Sequence, residues 1–289
     1  MQRKLDMENH MVWKRNLDLL EGEEYLANNN LALVSSKSGF DDIIKKYVYI
    51  SPSLIENTLK LVPGLWKVLN GTGIDLGAGV GAVSSVVAKI NEVESIYSLE
   101  LTENCVRFCH PIIKENILRS KQHKVISVLG DFDNIQLEDS SLDFAISWDS
   151  MHHSIDLPKT LKEVRRVLKP EGYFVVVDRG YNNSTTDEEI KRLGNIVYDK
   201  EFLKKSYLPV DKILTRKLNG ENDIRFREWE ESFVNSKFKI INNALIKTKN
   251  QRNVDLKNDA SIPEIFVDYK LGGYMQQKNI YILKNTKHN

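Results

Sequence analysis

The segment spanning residues 73–89, GIDLGAGVGAVSSVVAK, constrains the fold more than any other part of the chain. It reads as a short apolar strand, a turn holding Gly77, Gly79 and Gly81, and a helix that opens on small residues. Glycine lets the backbone take left-handed conformations and lets a ligand lie directly against the main chain. The first turn of the following helix points its free N–H groups at whatever occupies that turn. The segment therefore predicts a nucleotide or nucleoside pocket. Gly77-x-Gly79-x-x-Ala82 also satisfies the dinucleotide pattern G-x-G-x-x-G/A, so the loop alone leaves the kind of nucleotide open.

The surroundings of this loop set the fold class. Short apolar runs recur at residues 73–76, 96–99, 124–129, 144–148 and 173–177, separated by helical stretches at 82–90, 103–119 (broken at Pro111) and 157–168. Strands alternating with helices require parallel crossovers, and so predict a doubly wound α/β sheet covered on both faces. Before it, residues 1–70 read as a helical cap, with apolar residues at helical spacing over 11–26 and a helix opening at Ser51-Pro52-Ser53, where Glu56 completes a capping box. After Arg179 the alternation stops. Residues 187–208 and 223–234 read as helices, and 238–246 and 279–283 as a final antiparallel pair of strands. The stretch between those strands is too long for a hairpin turn. Residues 71–289 thus form the core, with 181–236 and 250–278 as insertions expected to shape a second binding pocket.

Composition narrows the partners. Lys and Arg number 41 against 40 Asp and Glu, a formal net charge of +1, which argues against a surface built for a nucleic-acid backbone. No apolar run reaches signal-peptide or membrane-spanning length, so no membrane partner and a cytoplasmic location are expected. Cys105 and Cys109 lie four apart on one helix face, where they cannot easily bridge, and His110 beside them does not complete a metal-type spacing. They read as packing residues in a reducing compartment. Nothing in the pattern fixes an oligomeric state.

Four further features bear on chemistry. Asp75 lies inside the first core strand, where a carboxylate must be hydrogen-bonded. Glu100 closes the next strand, 23 residues beyond Gly77, where an acid accepts both hydroxyls of a ribose. Gly130-Asp131-Phe132 follows the third, a carboxylate beside an aromatic ring that can take the exocyclic amine and the face of adenine, with a plain turn as the alternative, since Gly and Asp favour turns. The block LDFAISWDSMHHSIDLPKTLKEVRRVLKPEGYFVVVDRG, residues 142–180, then supplies the fourth strand, a polar strand end, a helix, a turn and the fifth strand.

The order GIDLGAGVG, YSLE, GDF, LDFAISWDSMHH and EVRRVLKPEGYFVVVD resembles the class I S-adenosylmethionine-dependent methyltransferases, in particular their small-molecule group. The likeness is dense over residues 71–179 and loose over the two late strands. It implies a Rossmann-like, mostly parallel seven-stranded sheet and S-adenosylmethionine as cofactor. It also implies roles: Asp75, Gly77, Ala78 and Gly79 around the methionine part, Glu100 on the ribose, Leu101 against the adenine, Asp131 and Phe132 on the adenine, and Trp148 near the sulfonium end. The family's LKPGG is LKPEG here; Gly172 keeps the turn glycine and Glu171 is expected to face solvent.

His152 and His153 follow the fourth core strand at the carboxyl edge of the sheet and are the candidate catalytic bases, an imidazole being the side chain whose pKa lies nearest neutrality. In the same family such histidines also serve only to shape the pocket. Asp149 with Asp178 raises a metal-dependent alternative, but Arg179 stands where metal-dependent relatives carry Asn, so no metal is expected. The Asn/Asp-Pro-Pro-aromatic signature of enzymes that methylate exocyclic or amide nitrogens is absent. Tyr47 and Tyr49, just before the core, are candidates for closing over the cofactor, with simple packing as the plainer role. The expected function is methyl transfer to an oxygen or nitrogen of a small molecule. The alternatives are an NAD-dependent oxidoreductase, which the four added features oppose, and a silent protein that only binds the cofactor.

Overall fold

The computed structural model describes residues 10–48, 51–246, 270–271, 274–275 and 277–286. Tyr49 and most of the 250–278 insertion lie outside the described residues, as does the side chain of Tyr47.

Eight strands of the described residues form one sheet: β1 (Met11–Val12), β2 (Gly71–Leu76), β3 (Val93–Glu100), β4 (Val125–Leu129), β5 (Leu142–Trp148), β6 (Leu168–Gly180), β7 (Phe238–Ile246) and β8 (Gln277–Asn285). Their order is β1-β4-β3-β2-β5-β6-β8-β7. Strands β1 to β6 pair in parallel. Strand β8 runs antiparallel to both β6 and β7, as the two late alternating runs predict. From the central β2 the chain winds out through β3 and β4 on one side, then returns to build β5 and β6 on the other. That reversal places a crevice at the carboxyl ends of β2 and β5, where open α/β sheets bind ligands.

The eighth strand corrects the expected count of seven. Residues 11–26 do not form one helix: β1 lies along the edge of β4, where Trp13 N–H donates to the Leu129 carbonyl at 2.8 Å. An uncovered β4 edge would leave its backbone groups without partners, and this pairing satisfies them. A short 3₁₀ turn follows (Leu17–Glu21), and helix α1 (Glu23–Ser38) begins only after Gly22.

Helix α2 (Pro52–Leu61) opens at Pro52 as expected, with Ser51 Oγ as the cap, accepting from Leu54 N–H at 3.2 Å. The expected Ser53–Glu56 capping box does not form, because the Glu56 carboxylate is taken by Lys60 and Lys89. The core helices are α3 (Ala82–Val87), α4 (His110–Leu118) and α5 (Leu157–Val167). The 103–119 helix opens with a π turn at Cys105–Cys109, and Pro111 falls in the first turn of α4, which tolerates a missing N–H. Both cysteines are free and buried, and Cys109 packs on α1 with its Sγ 3.5 Å from the Ala32 carbonyl. The expected 187–208 helix is two helices, α6 (Asp187–Gly194) and α7 (Lys200–Lys205). Gly194 ends the first, and the Asp199 carboxylate caps the second by accepting Phe202 N–H at 2.7 Å. Helix α8 (Phe226–Asn235) then leads into β7.

Two hydrophobic layers sandwich the sheet. Alternate residues of β6 feed them: Val175 and Val177 pack with Ile55, Val86 and Ile113, while Phe174 and Val176 pack with Leu161, Val164, Trp229 and Phe233. At the turn inside β6, Glu171 takes a left-handed φ of 65° and its exposed carboxylate pairs with Lys284. No helix among the described residues is long and apolar enough to cross a membrane.

Candidate active site

Three strand ends converge on the glycine loop. Gly77 and Gly79 have φ of 68° and 54°, and a Cβ added at Gly77 would lie 2.6 Å from Ser150 Cβ and 3.7 Å from Phe132 Cε1. The bare backbone at Gly77 therefore lets the ends of β2, β4 and β5 close around one cleft. Ser150 is fixed there, donating to the Leu76 carbonyl at 2.5 Å and sharing a 2.7 Å hydrogen bond with Ser147. Trp148, at the end of β5, is half-buried against the core beside this cleft.

The carboxylates expected in this pocket are buried and held by the fold. Asp75 accepts the Ser84 hydroxyl at 2.5 Å from the start of α3, and burial raises its pKa to about 7 against the pull of that hydrogen bond. Glu100 accepts Gly79 N–H on Oε2 and Thr102 N–H on Oε1, both at 2.8 Å. Its pKa is raised by burial, with the two amides opposing the shift. Glu100 thus anchors the glycine loop from the neighbouring strand, a role the sequence does not announce. Asp131 accepts Asn16 N–H at 2.7 Å and Asp133 N–H at 3.0 Å, which pins the chain after β1 over the end of β4. Ala78 N–H donates to the Leu99 carbonyl at 2.9 Å, and Arg15 reaches the Leu101 carbonyl at 3.4 Å. Each carboxylate oxygen still has a lone pair to offer, so these acceptors could take further donors such as the hydroxyls of a ribose or the amine of an adenine.

His110 is a second loop anchor that the sequence does not reveal. Burial lowers its pKa to about 3, and its neutral Nε2–H donates to the Gly79 carbonyl at 2.9 Å.

The two histidines sit on a 3₁₀ turn (Met151–His153) after β5, their ring centroids 3.9 Å apart, yet they carry different charge. His152 is fully buried. Its Nδ1 lies 2.7 Å from Asp178 Oδ1, and its Nε2 faces the Arg179 guanidinium. An arginine only donates and a carboxylate only accepts, so Nδ1 carries the proton and Nε2 is a lone pair. Burial and the adjacent Arg179 lower its pKa, which keeps this tautomer neutral.

His153 faces acceptors on both nitrogens, the Gly220 carbonyl 3.1 Å from Nδ1 and Glu24 Oε1 2.9 Å from Nε2. Burial opposes its charge, but Glu24 and Glu221 outweigh that cost and raise its pKa to about 9. The ordinary imidazole value is about 6.5. This link between α1 and the 3₁₀ turn is therefore fully stabilising below about pH 6.5 and is lost as pH rises through about 9. Unfolding free energies of wild type and Glu24→Gln, compared from about pH 6 to about pH 10, are expected to converge at the alkaline end; a pH-independent gap contradicts the assignment.

Above the histidines lies a roof of charged side chains. Glu221 Oε2 is 2.5 Å from Arg179 and 3.7 Å from Arg216, and Arg216 also pairs with Asp223 at 2.7 Å. Asn222 donates to the His152 and Ser154 carbonyls at 2.7 and 2.9 Å. Asp149 pairs with Lys278 at 2.6 Å; burial would raise its pKa, but the positive charges of Lys278 and Arg179 outweigh it and hold it below the usual range. Asp149, His152 and Asp178 bring ligand-type atoms within 4.8 Å of one another, as do His152, His153 and Glu221. The positive charge these carboxylates require comes from Lys278, Arg179 and Arg216.

Residues 74–176, spanning the glycine loop, the carboxylates and the histidines, match the methyltransferase domain family. Residues 74–176 thus carry the sequence of a methyltransferase domain. Among curated relatives, a sterol 24-C-methyltransferase of Aspergillus fumigatus is 28% identical over 125 residues, covering 42% of this chain and 32% of that protein. A dimethylglycine N-methyltransferase of Parasynechococcus marenigrum is 32% identical over 110 residues, covering 37% of each chain. The chain thus spans about a third of the length of these relatives. The solved structure of a geranyl diphosphate methyltransferase in complex with S-adenosylmethionine shares the fold at 12% identity, with a TM-score of 0.54 over 85% of this chain and 89% of that one. The dinucleotide reading left open by the glycine loop is not the one this methyltransferase domain supports. Glu24, Asp178, Arg179, Arg216, Glu221 and Lys278 all lie outside the matched span.

Proposed function

We propose that the chain transfers a methyl group from S-adenosylmethionine to an oxygen or nitrogen of a small-molecule acceptor. The observation that carries this reading is the convergence of Gly77, Phe132 and Ser150 at the switch point of the sheet, with Glu100 tied to the same loop. Glu100 would take the ribose hydroxyls and Asp131 with Phe132 the adenine, with Leu101 alongside. Asp75, Ala78 and Gly79 would surround the methionine part, and Trp148 the sulfonium end. Bound there, S-adenosylmethionine supplies a methyl carbon activated by positive sulfur, so the protein need only align, desolvate and deprotonate the acceptor.

Of the two candidate bases, His152 has the required state: neutral, with a lone pair on Nε2 and its other nitrogen held by Asp178. Nε2 would remove the acceptor's proton as its oxygen or nitrogen attacks. His153, doubly hydrogen-bonded as an imidazolium, would fasten α1 to the site and remove no proton. Residues 10–48 and 181–236 would supply the acceptor pocket, together with the late insertion. Two free, buried cysteines fit a cytoplasmic setting.

The test is transfer of labelled methyl from S-adenosylmethionine into the metabolites of a cell extract. Label in a small-molecule fraction supports the reading; tight cofactor binding with no labelled product supports a silent binder. Glu100→Gln is expected to weaken cofactor binding by about 1–3 kcal/mol, because it removes a charged acceptor from both the loop and the ligand. Unchanged affinity by calorimetry contradicts the placement of the ribose.

A further inference from the structure

Arg179 closes off the proposed base. Its terminal nitrogen reaches both His152 Nε2 and Glu221 Oε2, so the lone pair that would take a proton is covered by a guanidinium. The pairing that holds it there is incomplete. A single oxygen of Glu221 faces Arg179 at 2.5 Å, Arg216 at 3.7 Å and His152 at 3.9 Å. Arg179 Nε is buried without an acceptor, and Arg216 Nε is likewise. A guanidinium is matched best by an oxyanion that meets two of its N–H groups side by side, and Glu221 does not do so.

We propose that the acceptor carries an oxyanion that pairs with the Nε and terminal N–H of Arg179, and that this pairing uncovers His152 Nε2 as the base. The inference rests on the methyl-transfer reading above. A bidentate oxyanion satisfies the buried Nε–H and draws the terminal nitrogen away from His152. Glu221 keeps Arg216, and His153 also contributes favourably to its charge, so it is not left as an isolated buried anion. His152 Nε2 then takes the proton of the acceptor's O–H or N–H. The freed electron pair forms the new bond to the methyl carbon, and the carbon–sulfur bond breaks with its electrons going to sulfur. The base is thereby exposed only when an anionic acceptor is seated. Arg179 and Glu221 lie beyond the matched methyltransferase span, as expected of residues that select an acceptor.

The test uses the full chain, labelled with ¹⁵N-histidine and saturated with S-adenosylhomocysteine, and follows the His152 Nε2 resonance by NMR. Benzoate and phenyl phosphate are titrated as oxyanion probes, and benzamide as the uncharged counterpart of benzoate. The expected result is a saturable shift of Nε2 with one or both oxyanions, at least tenfold tighter than benzamide, with the stronger of the two naming carboxylate or phosphate. Arg179→Met should lose that preference, and Arg179→Lys should keep part of it. Equal binding of benzamide, or oxyanion affinity unchanged in Arg179→Met, overturns the proposal. If Arg179→Met does not fold, the comparison of probes on the wild type still decides. Failure of S-adenosylhomocysteine to bind would instead sink the methyl-transfer reading itself.

Discussion

Gly77→Ala is expected to abolish saturable cofactor binding and to lower stability on the order of 2–4 kcal/mol, from a left-handed backbone and an overpacked contact together. The backbone there has φ of 68°, and the new methyl would lie 2.6 Å from Ser150 Cβ. Ser150 cannot retreat cheaply, because Leu76 and Ser147 both hold its hydroxyl. Relief has to come from the loop, which pulls Gly79 from Glu100. Chemical denaturation and calorimetric titration of the same variant read both effects. A variant that binds S-adenosylhomocysteine as wild type does would mean that the loop is not the pocket.

Asp178→Asn is expected to keep cofactor affinity while lowering methyl transfer by roughly 10²–10⁴-fold, the usual weight of a positioned base. Asp178 accepts His152 Nδ1–H at 2.7 Å, His152 N–H at 3.1 Å and Arg179 N–H at 2.7 Å. A neutral amide holds Nδ1–H more weakly and no longer stabilises the imidazolium that forms when Nε2 takes a proton, so His152 becomes a poorer base. Asp178→Ala leaves those donors without an acceptor in a buried site and should cost about 2–4 kcal/mol in denaturation experiments. Turnover unchanged in Asp178→Asn would show that His152 shapes the pocket and takes no proton.

The sheet and the glycine loop at its edge were legible because they are local. Residues 73–82 hold strand, turn and helix start within a few positions, and the acids at 75, 100 and 131 fall in or just after strands that hydrophobic runs mark. What escaped depends on distant pairing. Residues 11–26 contain enough apolar residues at helical spacing to predict a helix, yet the open edge of β4 draws residues 11–12 into the sheet. The 187–208 stretch breaks because Asp199 caps a new helix, a competition between two good helical segments that periodicity does not resolve. Glu24 and Glu221 lie in segments without a motif, and only the fold brings both to His153 and one to Arg179. His110 carried no sign that it would support the glycine loop from α4. The division of labour between His152 and His153 was equally invisible, since adjacent identical residues differ here only by the partners that the tertiary structure gives them.

Calorimetric titration of the wild-type protein with S-adenosylhomocysteine and, separately, with NADH tests the central claim most directly. One saturable site for S-adenosylhomocysteine, with no binding of NADH at the same concentrations, is the predicted result. Tight binding of NADH with none of S-adenosylhomocysteine would contradict it.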